Sequence, residues 1–337
     1  MFPSFHSTGI GSLPHRDPVE ACAVVLDSVD IPFWPQLPHR SFLESMVPQY
    51  SEGFPFVHVG SDSVYTGKAK EEDLSLFYES IAGKSGFPIS ESYAAGLYAF
   101  IHILKEKKAR YQTIKGHITG PLTFSLSLTD TQKRPIFFDE EMRELSLELL
   151  KGKAGWQIDM LKPFAEKVLI FIDEPILTAL GTSTYIGVSN DDALRMLKEI
   201  VDHIRECGGI SGIHCCGKAD WPLVLSSGTD VFNFDAYDYW DTLSIYPQEM
   251  RTFIEKGGYI AWGVVPTTEE IHGATLELLK DRLDKGLASL ETAGIPKERL
   301  RRQSLITPSC GTGSLDVNGA HKVFSLLKDL RNTYVQG

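Results

Sequence analysis

Short runs of apolar and β-branched residues recur along this chain of 337 residues, and segments with helical periodicity lie between many of them. Runs of this length and composition predict β-strands. The predicted strands are Ser7–Leu13, Ile31–Leu37, Thr113–Gly120, Val168–Asp173, Gly209–His214, Asp230–Phe234, Gly258–Val264 and Ser304–Pro308. Because parallel neighbouring strands need crossover connections, this alternation predicts a parallel sheet covered by helices.

Several segments between and after these runs have the apolar spacing of amphipathic helices. One such helix begins after Ser189 and ends before Gly208, Glu140–Leu161 forms a long one, and two more lie near residues 278–287 and 323–330. Eight strand–helix units in a chain of this length predict one domain, residues 1–337, folded as a single (β/α)₈ barrel of the TIM type.

Residues 33–88 are rich in proline, glycine and aromatic side chains, so we expect long loops and short elements there. The alternative architecture is an open, doubly wound sheet. It is disfavoured because Pro14 stands where the third glycine of a dinucleotide-binding turn, counted from Gly9 and Gly11, would begin a helix.

The charge balance and the hydropathy of the chain exclude some classes of partner. Lys and Arg number 33 against 44 Asp and Glu, a net charge of −11, which argues against an extended nucleic-acid interface. No run approaches the roughly 18 apolar residues of a membrane span, and the first residues do not form a secretory signal. We therefore expect a cytoplasmic protein that binds neither nucleic acid nor membrane.

Three residues with metal-binding side chains follow predicted strands. In a (β/α)₈ barrel the carboxyl ends of all strands meet at one rim, where active sites lie. His214 and Cys216 are two residues apart at the end of the fifth strand and point to the same side, while Cys310 follows the eighth strand. Imidazole and thiolate are zinc ligands, so these three residues predict a zinc site, and Asp235 after the sixth strand can add an oxygen.

A zinc ion with only three firm ligands can accept an incoming thiol and lower its pKa, so that it binds as the thiolate. Zinc is not redox active, which favours alkylation of the thiol over electron transfer. The five cysteines are an odd number and a poor disulfide framework. We expect Cys22, Cys207 and Cys215 to be packing residues.

Polar groups at other strand ends suit an amino-acid ligand. Asp173 ends a strand that is apolar on both faces, where it can receive an ammonium group or, equally, cap a helix. Gly11 and Ser12 offer backbone N–H groups and a hydroxyl for a carboxylate. Glu44, judged from its local sequence alone, is expected on the surface of a helix.

Five motifs, in order along nearly the whole chain, resemble those of the catalytic barrel of cobalamin-independent methionine synthases. They are Ile10-Gly11-Ser12-Leu13-Pro14, Thr119-Gly120-Pro121, Ile172-Asp173-Glu174-Pro175, His214-x-Cys216 and Pro308-Ser309-Cys310-Gly311. That family belongs to the larger group of uroporphyrinogen decarboxylase-like barrels. The resemblance implies that Zn²⁺ is bound by His214, Cys216 and Cys310 and holds the sulfur of homocysteine.

The resemblance also implies roles for other residues. Asp173 holds the homocysteine amino group, Ile10 and Ser12 hold the amino acid, and Glu44 is a second carboxylate near the amine. The fourth zinc ligand of the family is a glutamate on the sixth strand, and Asp235, one methylene shorter, occupies that neighbourhood here.

The methyl donor is predicted from two departures from the full-length family. The segment Trp262-Gly263-Val264-Val265-Pro266 lacks the histidine that the family carries after the seventh strand, and the chain has the length of one barrel rather than two. It resembles the short core forms, which are expected to take the methyl group from a methylcorrinoid, such as methylcobalamin or a corrinoid protein. Cob(I)alamin is a stable leaving group that needs no general acid, so the missing histidine fits this donor.

The predicted function is therefore zinc-dependent transfer of a methyl group from a methylcorrinoid to homocysteine, giving methionine. Methylation of coenzyme M is one alternative, but that thiol has no amine for Asp173. Folate-dependent methionine synthesis is another. Uroporphyrinogen decarboxylation uses no metal and needs an arginine-rich pocket, whereas the N-terminal segment has only Arg16 and Arg40. The last alternative is a non-catalytic zinc-binding or corrinoid-binding protein.

Overall fold

A computed structural model describes residues 1–67, 71–82 and 87–335 of the chain. In chain order the strands are β1 (His6–Ser7), β2 (Val57–Val59), β3 (Val64–Thr66), β4 (Tyr111–Thr119), β5 (Thr129–Asp130), β6 (Ala165–Asp173), β7 (Ile210–Cys215), β8 (Val231–Asp235), β9 (Tyr259–Val265) and β10 (Ser304–Pro308). Seven of these strands form one parallel sheet in the order β1-β10-β9-β8-β7-β6-β4, and β2, β3 and β5 form a small separate sheet.

The α-helices surround the parallel sheet and connect its strands. They are α1 (Pro18–Ser28), α2 (Met46–Ser51), α3 (Glu71–Ala82), α4 (Ala95–Glu106), α5 (Pro121–Ser127), α6 (Glu140–Leu161), α7 (Asn190–Glu206), α8 (Trp221–Ser226), α9 (Ala236–Tyr239), α10 (Pro247–Glu255), α11 (Leu276–Thr292), α12 (Lys297–Arg302) and α13 (Val317–Val335). Short 3₁₀ helices cover Phe42–Glu44, Ile136–Phe138, Lys162–Phe164, Pro175–Thr178, Ser183–Tyr185, Thr242–Ile245 and Glu269–His272.

Residues 31–36 bridge the gap between β1 and β4 and occupy the eighth position of the barrel. The contacts are backbone hydrogen bonds of 2.8–3.0 Å, from Ile31 to Ser7, Lys115 to Pro32, Gln36 to Gly11 and Leu13 to Gln36. The predicted strand Ile31–Leu37 is therefore in its expected place but is not a regular strand. Pro32 and Pro35 have no N–H to donate, so a continuous ladder cannot form there.

The predicted first strand, Ser7–Leu13, is regular only at His6–Ser7. Beyond Ser7 the chain stays close to residues 31–36, because Gly9 leaves space for the ring of Phe33. A Cβ at Gly9 would lie 2.4 Å from the ring of Phe33, so only glycine fits that contact.

The strands of the large sheet alternate between an outer face packed against helices and an inner face that lines the barrel. In β6, Val168, Ile170 and Ile172 belong to the main core, whereas Leu169 and Phe171 belong to a smaller cluster inside the barrel. The same alternation turns Asp173 inward at the carboxyl end of the strand. The barrel therefore presents its polar strand ends at one rim, as the predicted fold requires.

The predicted helices agree with the described residues. Helix α6 has the predicted bounds, and α7 begins after Ser189, whose hydroxyl accepts a hydrogen bond from the N–H of Asp192. Residues 33–88 contain loops, short strands and short helices as predicted, but also α3, a helix of 12 residues; residues 68–70 and 83–86 lie outside the described residues. No helix in the described part of the chain is long and apolar enough to cross a membrane.

Candidate metal centre and active site

His214, Cys216 and Cys310 converge at the rim of the barrel, and we call them the His–Cys–Cys cluster. One ligand atom from each residue lies within 4.8 Å of the others. His214 is near the end of β7, Cys216 directly follows that strand, and Cys310 comes just after β10. Zinc bonds of roughly 2.0 to 2.3 Å hold the ligand atoms of one ion less than about 4.6 Å apart. Three atoms within 4.8 Å can therefore share an ion after a small movement of the side chains. Within the described ranges no other group of three such side chains meets the same distance limit.

A network behind His214 fixes which ring nitrogen faces the cluster. The side-chain N–H groups of Asn233 donate to the backbone oxygen of Ala261 and the hydroxyl of Thr307, each at 2.7 Å. The Asn233 Oδ1 is therefore the acceptor for Nδ1–H of His214. The buried Nε2 of His214 has no hydrogen-bond partner, so its lone pair is free for a metal ion.

The pKa values of the two cysteines of the cluster shift in opposite directions. The contact with Cys310, and then the proximity of His214, lower the pKa of Cys216 to about 4, despite the opposing effect of burial. The same contact with Cys216, together with burial, raises the pKa of Cys310 well above its ordinary value. Cys216 is thus a thiolate at neutral pH, which is the form that binds a metal.

Asp173 lies at the same level of the sheet as His214, because these two residues are register partners in β6 and β7. Its side chain is buried, and its Oδ1 has no hydrogen-bond partner. Burial raises the pKa of Asp173 to about 6, while the nearby charges of His214 and Lys115 lower it. An unpaired carboxylate oxygen inside the barrel suits a ligand ammonium group.

Glu174, not Asp173, binds the start of a helix, and that helix is α5, which follows the neighbouring strand β4. Its carboxylate accepts hydrogen bonds from the N–H groups of Leu122 and Thr123 at 2.9 and 2.8 Å, and from the Thr123 hydroxyl at 2.6 Å. A Cβ at Gly120 would lie 2.1 Å from Cδ of Glu174, so glycine is required beside it. These contacts join the Thr119-Gly120-Pro121 and Asp173-Glu174-Pro175 motifs and leave Asp173 free.

Asp235, the predicted fourth ligand, is not a member of the His–Cys–Cys cluster. Its Oδ1 accepts the N–H groups of Tyr237 and Asp238 at 3.0 and 3.1 Å, and so caps the N-terminus of α9. Burial raises the pKa of Asp235 to about 6.

The turn that contains Ile10 and Ser12 lies beside the segment that follows Cys310. The backbone oxygen of Ser12 accepts the N–H of Thr312 at 2.8 Å, and its hydroxyl accepts the N–H of Gly313 at 3.3 Å. The ammonium group of Lys115 donates to the backbone oxygen of Ile10.

Glu44 is fully buried, so the surface position expected from its local sequence is wrong. It pairs with Arg40 at 2.8 Å through Oε1, and its Oε2 has no partner. Burial raises the pKa of Glu44 to about 7. Neighbours that a local pattern does not reveal, among them Ala95 at the start of α4, account for the difference.

The other cysteines pack as predicted. Cys22 and Cys215 are completely buried in the main core, and Cys207 ends α7 partly buried against it. Sequence reasoning missed Asn233, Lys115 and His117, which line the barrel interior. The sequence does contain a pattern that indicates such residues, because polar side chains occupy every second position of an otherwise apolar strand.

Comparison with known proteins confirms the fold. No protein-family model and no curated protein matches the chain. A B12-independent methionine synthase from Shewanella sp. W3-18-1, solved in complex with selenomethionine, has a similar structure, with a TM-score of 0.63 and 14% identity over 98% of this chain and 97% of that one. A methyltransferase from Methanosarcina mazei has a TM-score of 0.58 and 12% identity over 98% of this chain and 94% of that one. The structural resemblance indicated by the motifs is confirmed, and at these identities the likeness establishes the barrel fold.

Proposed function

We propose that this chain is a zinc-dependent methyltransferase that methylates the thiol of homocysteine with a methylcorrinoid as donor. The observation that carries the proposal is the convergence of His214, Cys216 and Cys310 to within 4.8 Å at the rim of the barrel. The fold that the chain shares with two methyl-transferring proteins supports the same class of reaction.

The donor set fits zinc better than a hard cation. It offers one imidazole nitrogen that is buried without a partner, one thiolate and one thiol, and no carboxylate belongs to it. A bound zinc ion would lower the pKa of an incoming thiol and hold it as the nucleophilic thiolate. Asn233 keeps the ring of His214 oriented for this role.

The chain's own residues position the substrate around that thiolate. The unpaired Oδ1 of Asp173 receives the ammonium group of homocysteine, which neutralises a carboxylate buried inside the barrel. The turn Ile10–Ser12 lies on the Cys310 side of the rim and offers backbone and hydroxyl groups to the amino acid. Glu44 supplies a second buried carboxylate oxygen without a partner.

The residues at the carboxyl end of β9 support a methylcorrinoid as the donor. Transfer from a methylfolate requires a proton for the leaving nitrogen, and Trp262–Pro266 offers no acid for it. Transfer from methylcobalt releases cob(I)alamin, and the carbon–sulfur bond forms as the cobalt–carbon bond breaks, with both electrons staying on cobalt.

Metal analysis and a donor comparison test the proposal. The purified protein should contain about one zinc per chain and should form methionine from methylcobalamin and homocysteine. Purified metal-free protein that turns over equally well would refute the role of zinc. Methylation of coenzyme M in place of homocysteine, or methylfolate as an equally good donor, would replace the proposed acceptor or donor. Bound zinc without any methyl transfer would indicate a binding protein.

A further inference from the structure

A row of polar side chains on β4 points into the barrel. In the register of β4 with β6, Lys115, His117 and Thr119 stand beside Leu169, Phe171 and Asp173, respectively. Leu169 and Phe171 belong to the cluster inside the barrel, and register partners in parallel strands face the same side. Lys115 and His117 therefore lie in the interior, on the levels of the barrel below Asp173.

His117 is the least satisfied side chain of this row. It is 1% exposed, and neither of its ring nitrogens has a hydrogen-bond partner. Its ring stacks on Trp34 with centroids 3.9 Å apart, and a Cβ at Gly11 would lie 3.1–3.2 Å from three of its ring atoms. A buried polar group without a partner is energetically unfavourable, so a partner supplied by a ligand accounts for it.

The cationic group nearest to His117 along its strand is Lys115, whose pKa is lowered by burial to about 7 and raised by the charge of Asp173. The ammonium group of Lys115 is fully buried, lies 4.6 Å from the ring centre of Phe171, and donates to the backbone oxygen of Ile10. Burial, and then the charge of Lys115, lower the pKa of His117 well below its usual range, so the ring is neutral and has one N–H to donate.

We propose that His117 binds the α-carboxylate of an amino-acid thiol substrate and so selects such thiols over those without a carboxylate. The inference rests on the proposed function and adds a residue to its substrate site. His117 contacts Gly11, in the middle of the turn assigned to the amino acid. Asp173 then binds the ammonium group of the substrate. His117 donates a hydrogen bond to the carboxylate, and Lys115 nearby supplies positive potential.

Three thiols distinguish the contribution of the substrate's amine to binding from that of its carboxylate. Homocysteine has both charged groups, 4-mercaptobutanoate lacks the amine, and 3-aminopropane-1-thiol lacks the carboxylate. Their dissociation constants are measured by calorimetric titration of zinc-loaded protein, so that no methyl donor is needed. The variants are His117→Phe, which keeps the stacking on Trp34 but removes both nitrogens, and His117→Gln, which keeps an N–H donor.

His117→Phe should weaken both carboxylate-bearing thiols by roughly tenfold, the loss of a hydrogen bond to a charged group, and leave 3-aminopropane-1-thiol unchanged. His117→Gln should recover part of that loss. Asp173→Asn is the mirror control, because it should weaken the amine-bearing thiols and spare 4-mercaptobutanoate.

Two results overturn the inference while the proposed function stands. One is an equal loss for all three thiols, which would mean that His117 only shapes the barrel. The other is unchanged binding of every thiol to His117→Phe, which would mean that the ring binds only water. If zinc-loaded wild-type protein binds none of the thiols, the proposed function is refuted and this inference with it.

Discussion

Replacement of Asn233 by leucine tests whether the network behind His214 prepares the metal site. The amide of Asn233 is held by Ala261 and Thr307 and presents its oxygen to Nδ1 of His214. Leucine has a similar volume but cannot accept this hydrogen bond. The imidazole can then rotate or adopt the tautomer with the proton on Nε2, which does not bind metal.

The expected loss of zinc affinity follows from the hydrogen bond to His214 that leucine removes. Removal of the partner behind a metal-binding histidine lowers metal affinity by about 10–100-fold, which corresponds to about 1.4–2.8 kcal/mol. The substitution also leaves the buried Nδ1–H of His214 unpaired. This lowers the free energy of unfolding of the metal-free protein by about 1–3 kcal/mol.

Zinc affinity is measured by competition with a chromophoric chelator, at a temperature where circular dichroism shows that each variant is folded. Thr307→Val is the matched control, because it removes only one of the two hydrogen bonds that hold the amide and should cause a smaller loss. Wild-type zinc affinity in a folded Asn233→Leu protein would refute the argument that this network orients the histidine.

Other substitutions test the remaining assignments. Cys310→Ala should lower zinc affinity by at least about 100-fold, since a ligand bond is lost, whereas Cys207→Ser should retain the metal; equal retention, measured by metal analysis, would contradict the cluster. Asp235→Asn should keep zinc within about threefold of wild type, because asparagine caps α9 as well as aspartate does; loss of zinc in this variant would make Asp235 a ligand. Lys153→Met should raise the melting temperature at pH 7 by several degrees, because burial lowers the pKa of Lys153 to about 7 from 10.5. The gain should shrink as pH rises towards 10.5, where the unfolded chain also loses the proton, and a gain independent of pH in thermal melts would contradict this cause.

The sequence predicts the barrel well where strands are continuous and apolar. β6 and β9 are such runs, and their predicted positions agree with the structure. It predicts less well where the chain is held by partners distant in sequence. Residues 31–36 have strand-like composition, but their two prolines and the contacts to β1 and β4 decide their conformation. Glu44 is buried by packing that no local pattern reveals.

The residues of the candidate site likewise include some that the sequence predicts and some that it does not. His214, Cys216 and Cys310 are predicted to meet because the carboxyl ends of the strands share one rim, and the structure brings them together. The same argument places Asp235 at the rim, where its Oδ1 caps the N-terminus of α9 and its role as a ligand stays a prediction. Asn233 cannot be recognised from the sequence as the partner of His214, since their contact depends on the register of β7 with β8.

The pairing of β1 with β10 sets the order in which the barrel can be completed during synthesis. Phe5 and Thr8 donate hydrogen bonds to Ser304 and Ile306, so the first strand has no partner on that side until β10 has left the ribosome. Cys310 follows that last strand. The ring of strands and the metal centre therefore close in the same late step, and a nascent chain that ends before β10 would hold two of the three metal-binding side chains without an enclosed site.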